Sequence, residues 1–199
     1  MTNTMPTTLL YFLTAAFVQN LVLTSGIGSS LVLRIVRDPK SLGVFSLFLT
    51  GFCLLTVVAF YPIDTVIGTS ITAKLMRPVI IIAIASLLYL LAVTVLERAW
   101  PHFYEYTRTM LPLAAFNTVV VSVALIANHQ FKCTLLDCVG LALGASIGFV
   151  IVAFLAAEGA DRLNDSNVPK AFRGLPSMLI YLGLLALALC GFSSSVSFV

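Results

Sequence analysis

Residues 111–128 read LPLAAFNTVVVSVALIAN. The run is apolar enough to cross a bilayer, whose hydrocarbon core of about 30 Å takes about 20 residues of helix. It nevertheless carries Pro112 near its start and Asn117, Thr118 and Ser122 further in. Unpaired amides and broken backbone are costly in lipid, so these positions must face protein or water. The stretch therefore predicts a membrane span with an interruption.

A second interrupted run lies upstream, FVQNLVLTSGIGSSLVL at residues 17–33. It places Gln19 and Asn20 mid-span and follows them with Ser25, Gly26, Gly28, Ser29 and Ser30. Working outward gives six apolar runs: Leu9–Leu33, Leu42–Tyr61, Pro78–Leu96, Met110–Asn128, Leu135–Ala157 and Leu175–Phe192. The two interrupted runs are the first and the fourth, so each opens one half of the chain, residues 7–100 and 101–199. Interrupted spans at corresponding places in two halves point to an inverted repeat. Three spans per half give the halves opposite orientations, because three is odd. The fold expected is an all-α integral membrane protein, a single domain over 1–199, with six helices in a 3+3 repeat and discontinuous first and fourth spans. A plainer reading stays open beside it, in which Gly, Ser and Thr merely let helices pack closely.

Composition supports the membrane reading. Sixty per cent of the 199 residues are hydrophobic and 10% are charged, against about 25% charged in soluble domains. So few charges cannot cover a soluble surface. The net charge of +3, from 11 Lys/Arg against 8 Asp/Glu, is too sparse to track a phosphate backbone, which excludes nucleic acid as a partner. Basic residues divide unevenly between the loops. Loops 34–41, 97–109 and 158–174 hold Arg34, Arg37, Lys40, Arg98, Arg108, Arg162, Lys170 and Arg173, whereas only Lys74, Arg77 and Lys132 lie in the other two. The positive-inside rule predicts the first set in the cytoplasm and both termini outside, in a multi-pass protein of the inner (cytoplasmic) membrane. No basic residue precedes Arg34, so the first run lacks the charged start of a signal peptide and reads as a retained span.

Other features are weaker. Gly140, Gly144 and Gly148 recur every four residues, a spacing that lets two membrane helices approach. Cys53, Cys133, Cys138 and Cys190 stand in apolar surroundings and read as small buried hydrophobes. His102 and His129 fall in loops on opposite faces, which excludes a shared metal site. Asp64 and Asp137, at span edges, read as solvated. No Asp, Glu, Lys or Arg lies near the middle of any span, although intramembrane charge commonly marks an ion path. Ions crossing here would pass amides, hydroxyls and backbone carbonyls. No catalytic residue is expected, because no in-membrane His is available as a base and no aspartates pair.

The chain resembles the Rnf/Nqr membrane-subunit family. LPLAAFNTVVVSVAL is similar to LPLxTTNCxVLGVAL, the fourth-span signature of the A-type component of Rnf (Rsx) complexes, shared with the D- and E-type components of Nqr. NVPKAFRGLPSMLIYLGLLALALCGF is similar to the family's DVPxPFRG loop and last span. VQNLVLTSGIGSS occupies the place of VNNFVLxxxLGLCP. The resemblance implies a six-helix inverted-repeat subunit of an ion-translocating oxidoreductase. It would pack antiparallel with a homologous subunit, each giving two cysteines to one intramembrane 2Fe–2S cluster. The family's cysteines fall on Ser30 and Thr118, and neither is a cysteine here. Neutral hydroxyls replace thiolates poorly as cluster ligands. No cofactor or metal is therefore expected on this chain alone.

The function expected is that of a membrane subunit of an Rnf/Nqr-type complex coupling electron transfer to Na⁺ or H⁺ movement. Its ion path or half-helix breaks would involve Gln19, Asn20, Gly26, Gly28, Pro112 and Asn117. The alternative is a cofactor-free relative acting as a small-solute transporter or channel. The partners expected are the lipid bilayer and other membrane subunits.

Overall fold

The structure is a computed structural model, and it describes residues 7–18, 42–67, 71–129, 134–163, 169 and 172–195. Every regular element among them is helical. α1 (Thr7–Leu13) runs into a π-helical turn, Thr14–Val18. There follow α2 (Leu42–Ile67), α3 (Ile71–Ala99), α4 (Pro101–Thr107), α5 (Met110–Ala115), α6 (Thr118–His129), α7 (Leu135–Leu163) and α8 (Leu175–Ser195). Four stretches are long and apolar enough to cross a membrane: Leu42–Ile67, Lys74–Ala99, Met110–Ala127 and Leu135–Gly159. Thr7–Ala16 and Leu175–Ala188 are shorter apolar helices. This is an all-α integral membrane protein.

Two stretches expected as loops fold further than the sequence suggested. α2 extends to Ile67 and α3 starts at Ile71, so little of the expected loop 64–77 is irregular. Residues 101–107 form α4 because Pro101 occupies its first turn, where a missing N–H costs nothing and the fixed φ suits a helix. The ring of Phe103 meets that of Phe48 at 6.2 Å, holding α4 against the start of α2.

The packing follows a two-fold plan. The first span, α1 with its π turn, packs on α7, and the fourth, α5 with α6, packs on α2. α2 and α7 pack on each other. α2 also pairs with α3, as α7 does with α8. α3 touches the fourth span, and α8 touches the π turn of the first. Exchanging spans one to three with spans four to six leaves all these pairings unchanged; among the described residues the α6–α7 and α3–α4 contacts fall outside the scheme. The core lies where α2 and α7 cross, among Phe45, Leu49, Phe60, Phe149 and Val152, all buried.

The glycine spacing has a partner. A Cβ at Gly140 would come within 2.7 Å of the Thr8 carbonyl, and one at Gly144 would run into the Phe12 carbonyl. Residues 8 and 12 thus face 140 and 144 in the same order, so α1 and α7 run parallel with backbones in near contact. Small-residue faces permit this approach in membranes. Several turns further along α7, Gly159 leaves room for the Tyr181 ring, whose hydroxyl donates to the Leu155 carbonyl at 3.3 Å.

The edge carboxylates are more enclosed than the sequence suggested. Asp64 and Arg77 form an ion pair with Nε 2.7 Å from Oδ1, each side chain only 10% exposed. The contact is ionic, off the hydrogen-bond angle, and it fastens the α2–α3 hairpin. Asp137 is buried at the start of α7. Its carboxylate accepts from the hydroxyls of Thr7 (3.0 Å), Thr8 (3.1 Å) and Thr134 (2.6 Å) and from the Thr134 N–H (3.3 Å). A carboxylate so supplied needs no bulk water, and a negative group suits a helix N-terminus.

Candidate functional site: the break in the fourth span

The fourth span is broken, one turn beyond the proline. Pro112 lies in the first turn of α5, where its missing N–H has no intrahelical partner to lose. It therefore does not open the helix, contrary to what its position in the span suggested. α5 ends at Ala115, and Phe116 leaves the helical region with φ −94° and ψ 25°. Its N–H still reaches the Pro112 carbonyl at 3.0 Å.

Asn117 restarts the chain. Its Oδ1 accepts from the Val119 N–H at 3.1 Å and sits 3.5 Å from the donating Thr118 hydroxyl. Its backbone carbonyl accepts from the Val120 N–H at 3.0 Å. This is side-chain capping at the start of α6, one of the preferred uses of asparagine. The sequence marked Asn117 as polar and in need of a partner. The missed signal was Asn-Thr ahead of a β-branched apolar run, which reads as a cap.

Depth follows from helix rise. At 1.5 Å per residue, Asn117 lies about 10 Å beyond Met110 and about 18 Å before His129, so the break falls within the hydrocarbon core. Around it, exposure alternates sharply. Asn117 is 4% exposed, whereas Phe116 is 50% exposed and Thr118 is exposed too. The Phe116 ring rests on Tyr89 of α3, centroids 5.5 Å apart. One side of the break thus turns into the bundle and the other turns out of it.

Of the other residues marked in the sequence, Gln19, Asn20, Gly26, Gly28 and Ser30 lie outside the described residues. The chain enters that stretch from the π turn Thr14–Val18, in which Thr14 donates back to the Leu10 carbonyl at 2.7 Å. Cys133 and the side chain of Cys190 are likewise outside the described set. Cys53 and Cys138 are buried and in no disulfide. Cys53 of α2 lies beside Ser146 of α7, whose hydroxyl donates to the Ala142 carbonyl at 2.8 Å. Among the described residues no group of three His, Cys, Asp or Glu stands together as a metal site would require. At Thr118, where the sequence resemblance would place a cluster cysteine, the donor offered is a hydroxyl.

A helical bundle with a span broken and capped at membrane depth defines a polytopic membrane protein of the discontinuous-helix kind. The family model for "Rnf-Nqr subunit, membrane protein" matches residues 8–196, and the chain belongs to that family. The A-type component of an ion-translocating oxidoreductase complex from Pasteurella multocida is 30% identical, over 94% of this chain and 97% of that protein. The A-type component of a Na⁺-translocating ferredoxin:NAD⁺ oxidoreductase complex from Acetobacterium woodii is 28% identical over the same shares. The corresponding ion-translocating oxidoreductase component from Alcanivorax borkumensis is 28% identical over 94% of this chain and 96% of its own length.

Proposed function

We propose that this chain is the A-type membrane component of an Rnf/Nqr-type complex, in which electron transfer drives Na⁺ or H⁺ across the inner membrane. The carrying observation is the outward side of the break. Phe116 and Thr118 are exposed at a depth where the backbone has left its helix. Irregular backbone is tolerated in the hydrocarbon region only where protein or a wet cavity covers it. Another membrane subunit therefore covers this face, and an antiparallel homologue fits best, because it would bring its own broken span to the same depth. The two-fold packing plan agrees with repeat halves 7–100 and 101–199. The basic loops 34–41, 97–109 and 158–174 then face the cytoplasm and both termini face out.

The chain's own residues do not suit a cluster. Thr118 and Ser30 hold hydroxyls where soft thiolates are required, and the free thiol of Cys53 is buried in the core, away from either position in the sequence. The chain's role is to shape the path: Asn117 fixes the break from within, and the exposed Thr118 hydroxyl and, by sequence, the amides of Gln19 and Asn20 line the seam. Thr118 also favours a second reading, a cofactor-free transporter or channel that keeps the broken spans without redox chemistry.

Inverted membrane vesicles separate the two. Deleting the gene should abolish NADH- or ferredoxin-driven ion uptake, with restoration by the intact chain and not by one truncated before Met110. Unchanged electron-driven uptake would remove the first reading and leave the second.

A further inference from the structure

Two buried polar groups are left unsatisfied among the described residues, one at the break and one on α2, the helix that packs against both of its sides. Asn117 has committed Oδ1 to the α6 cap, and its buried Nδ2 finds no hydrogen-bond partner among the described residues. What the amide still offers is purely a donor. It stands at the start of a twelve-residue helix, where the dipole is positive and repels a bare cation. The free group therefore calls for an acceptor.

The second group is the Thr56 hydroxyl on α2, wholly buried and likewise unpartnered among the described residues. Helical threonines elsewhere in this protein turn their hydroxyls back onto a carbonyl one turn earlier, as Thr14, Thr50, Thr65, Thr94 and Thr107 do. Thr56 does not, although the same option lies within its own helix. α2 packs against both α5 and α6. Phe48 marks the α4 end of α2 through its contact with Phe103, and Thr56 lies about 12 Å further along. Asn117 lies about 10 Å from Met110, at the same end of its span.

We propose that the break holds a water molecule between the Asn117 amide and the Thr56 hydroxyl, on the inward side of the fourth span. Nδ2 donates to it, and the Thr56 hydroxyl exchanges a second hydrogen bond with it. A buried water typically makes about three such bonds, and the open backbone at Phe116 supplies candidates for the third. The site takes a small neutral acceptor and excludes Na⁺ at this point of the seam. The inference rests on the broken span lying inside the membrane, and not on electron-driven ion movement.

Thermal unfolding of the purified full chain in lipid nanodiscs tests it. Thr56→Val removes the hydroxyl at constant shape, and should lower the melting temperature by about 2–4 °C, while Thr56→Ser keeps it. Asn117→Asp preserves the cap oxygen and removes the donor, so it should lower it too. The double change Thr56→Val, Asn117→Asp should fall no further than the worse single change, since both act on one ligand. A Thr56→Val protein that melts at the same or a higher temperature would overturn the site, as would fully additive losses. If Asn117→Asp fails to insert, Thr56→Val against Thr56→Ser decides alone. X-ray radiolysis, which labels side chains beside bound water, should mark buried Val57 and Val119 in the native chain. Absence of label there would also sink the proposal.

Discussion

At Asn117 one amide is divided between two tasks. Its oxygen holds the first turn of α6 and its nitrogen faces the interior of the bundle. Asn117→Leu removes both, and the lost cap alone costs about 0.5–2 kcal/mol. A second residue-scale test concerns the ion pair of Asp64 and Arg77, each 10% exposed. Arg77→Met strands a buried carboxylate and should destabilise by about 3–5 kcal/mol. The double change Asp64→Leu, Arg77→Met should recover most of that, because two apolar side chains leave no charge unpaired. Unfolding of the three variants side by side measures it, and a double variant as unstable as the single one would disprove the pairing. A third test uses Thr118. The purified chain should carry no stoichiometric iron, and Thr118→Cys alone should not change this, since one thiolate cannot hold a cluster. At this scale the sequence was half legible. It marked Asn117 and Thr118, but side chains that enclose Asp64 and Asp137 come from distant segments, Arg77, Thr7 and Thr8, and no local pattern announces them.

The helices were more legible than the residues between them. Apolar length located the second, third and fifth spans, the polar interruption located the fourth, and the sixth run is an apolar helix whose described stretch, Leu175–Ala188, is shorter. The boundaries ran short because hydropathy marks where lipid ends, whereas a helix stops only where a breaker stops it. α3 therefore begins at Ile71, ahead of Lys74 and Arg77. Of the two residues marked for the break in the fourth span, Asn117 stands at it and Pro112 lies a turn before it, for a physical reason: proline disrupts a helix interior, not a first turn. The glycine face of α7 yields a sharp prediction at this scale. Gly144→Ala puts a methyl group into the Phe12 carbonyl, and Gly140→Ala meets Thr8. Both should loosen α1 and reduce the amount of chain recovered from membranes. Gly51→Ala and Gly183→Ala meet nothing within 4 Å and should leave accumulation unchanged or improved, since alanine is the better helix former. Equal tolerance at all four sites, read by immunoblot of membrane fractions, would mean that α1 does not rest on α7.

For the whole molecule, the two-fold plan ties packing to orientation. Spans two and five are exchanged by that plan and must cross the membrane in opposite senses. Their contacts agree: Phe45 faces Phe149 with ring centroids 6.0 Å apart, and Cys53, later in α2, meets Ser146, earlier in α7. Antiparallel packing of α2 and α7 leaves one end of the bundle with α4 and the C-terminal end of α7, and the other with the Asp64–Arg77 pair and the Asp137 cluster. In the orientation proposed above, eight basic residues against three keep the α4 end in the cytoplasm, since Lys and Arg in short loops resist translocation. Two exposed positions report this directly. Glu105→Cys lies on α4 and Lys74→Cys on the first turn of α3, and both side chains are exposed. A membrane-impermeant maleimide applied to intact cells should label residue 74 and spare residue 105, with the reverse in inverted vesicles. Buried Cys53 and Cys138 should stay dark in both, and the parent chain without either substitution sets the background. Labelling of residue 105 from outside would turn the whole bundle over. It would then place the basic loops on the wrong face for the A-type component, so the same result would dismantle the proposed antiparallel pairing.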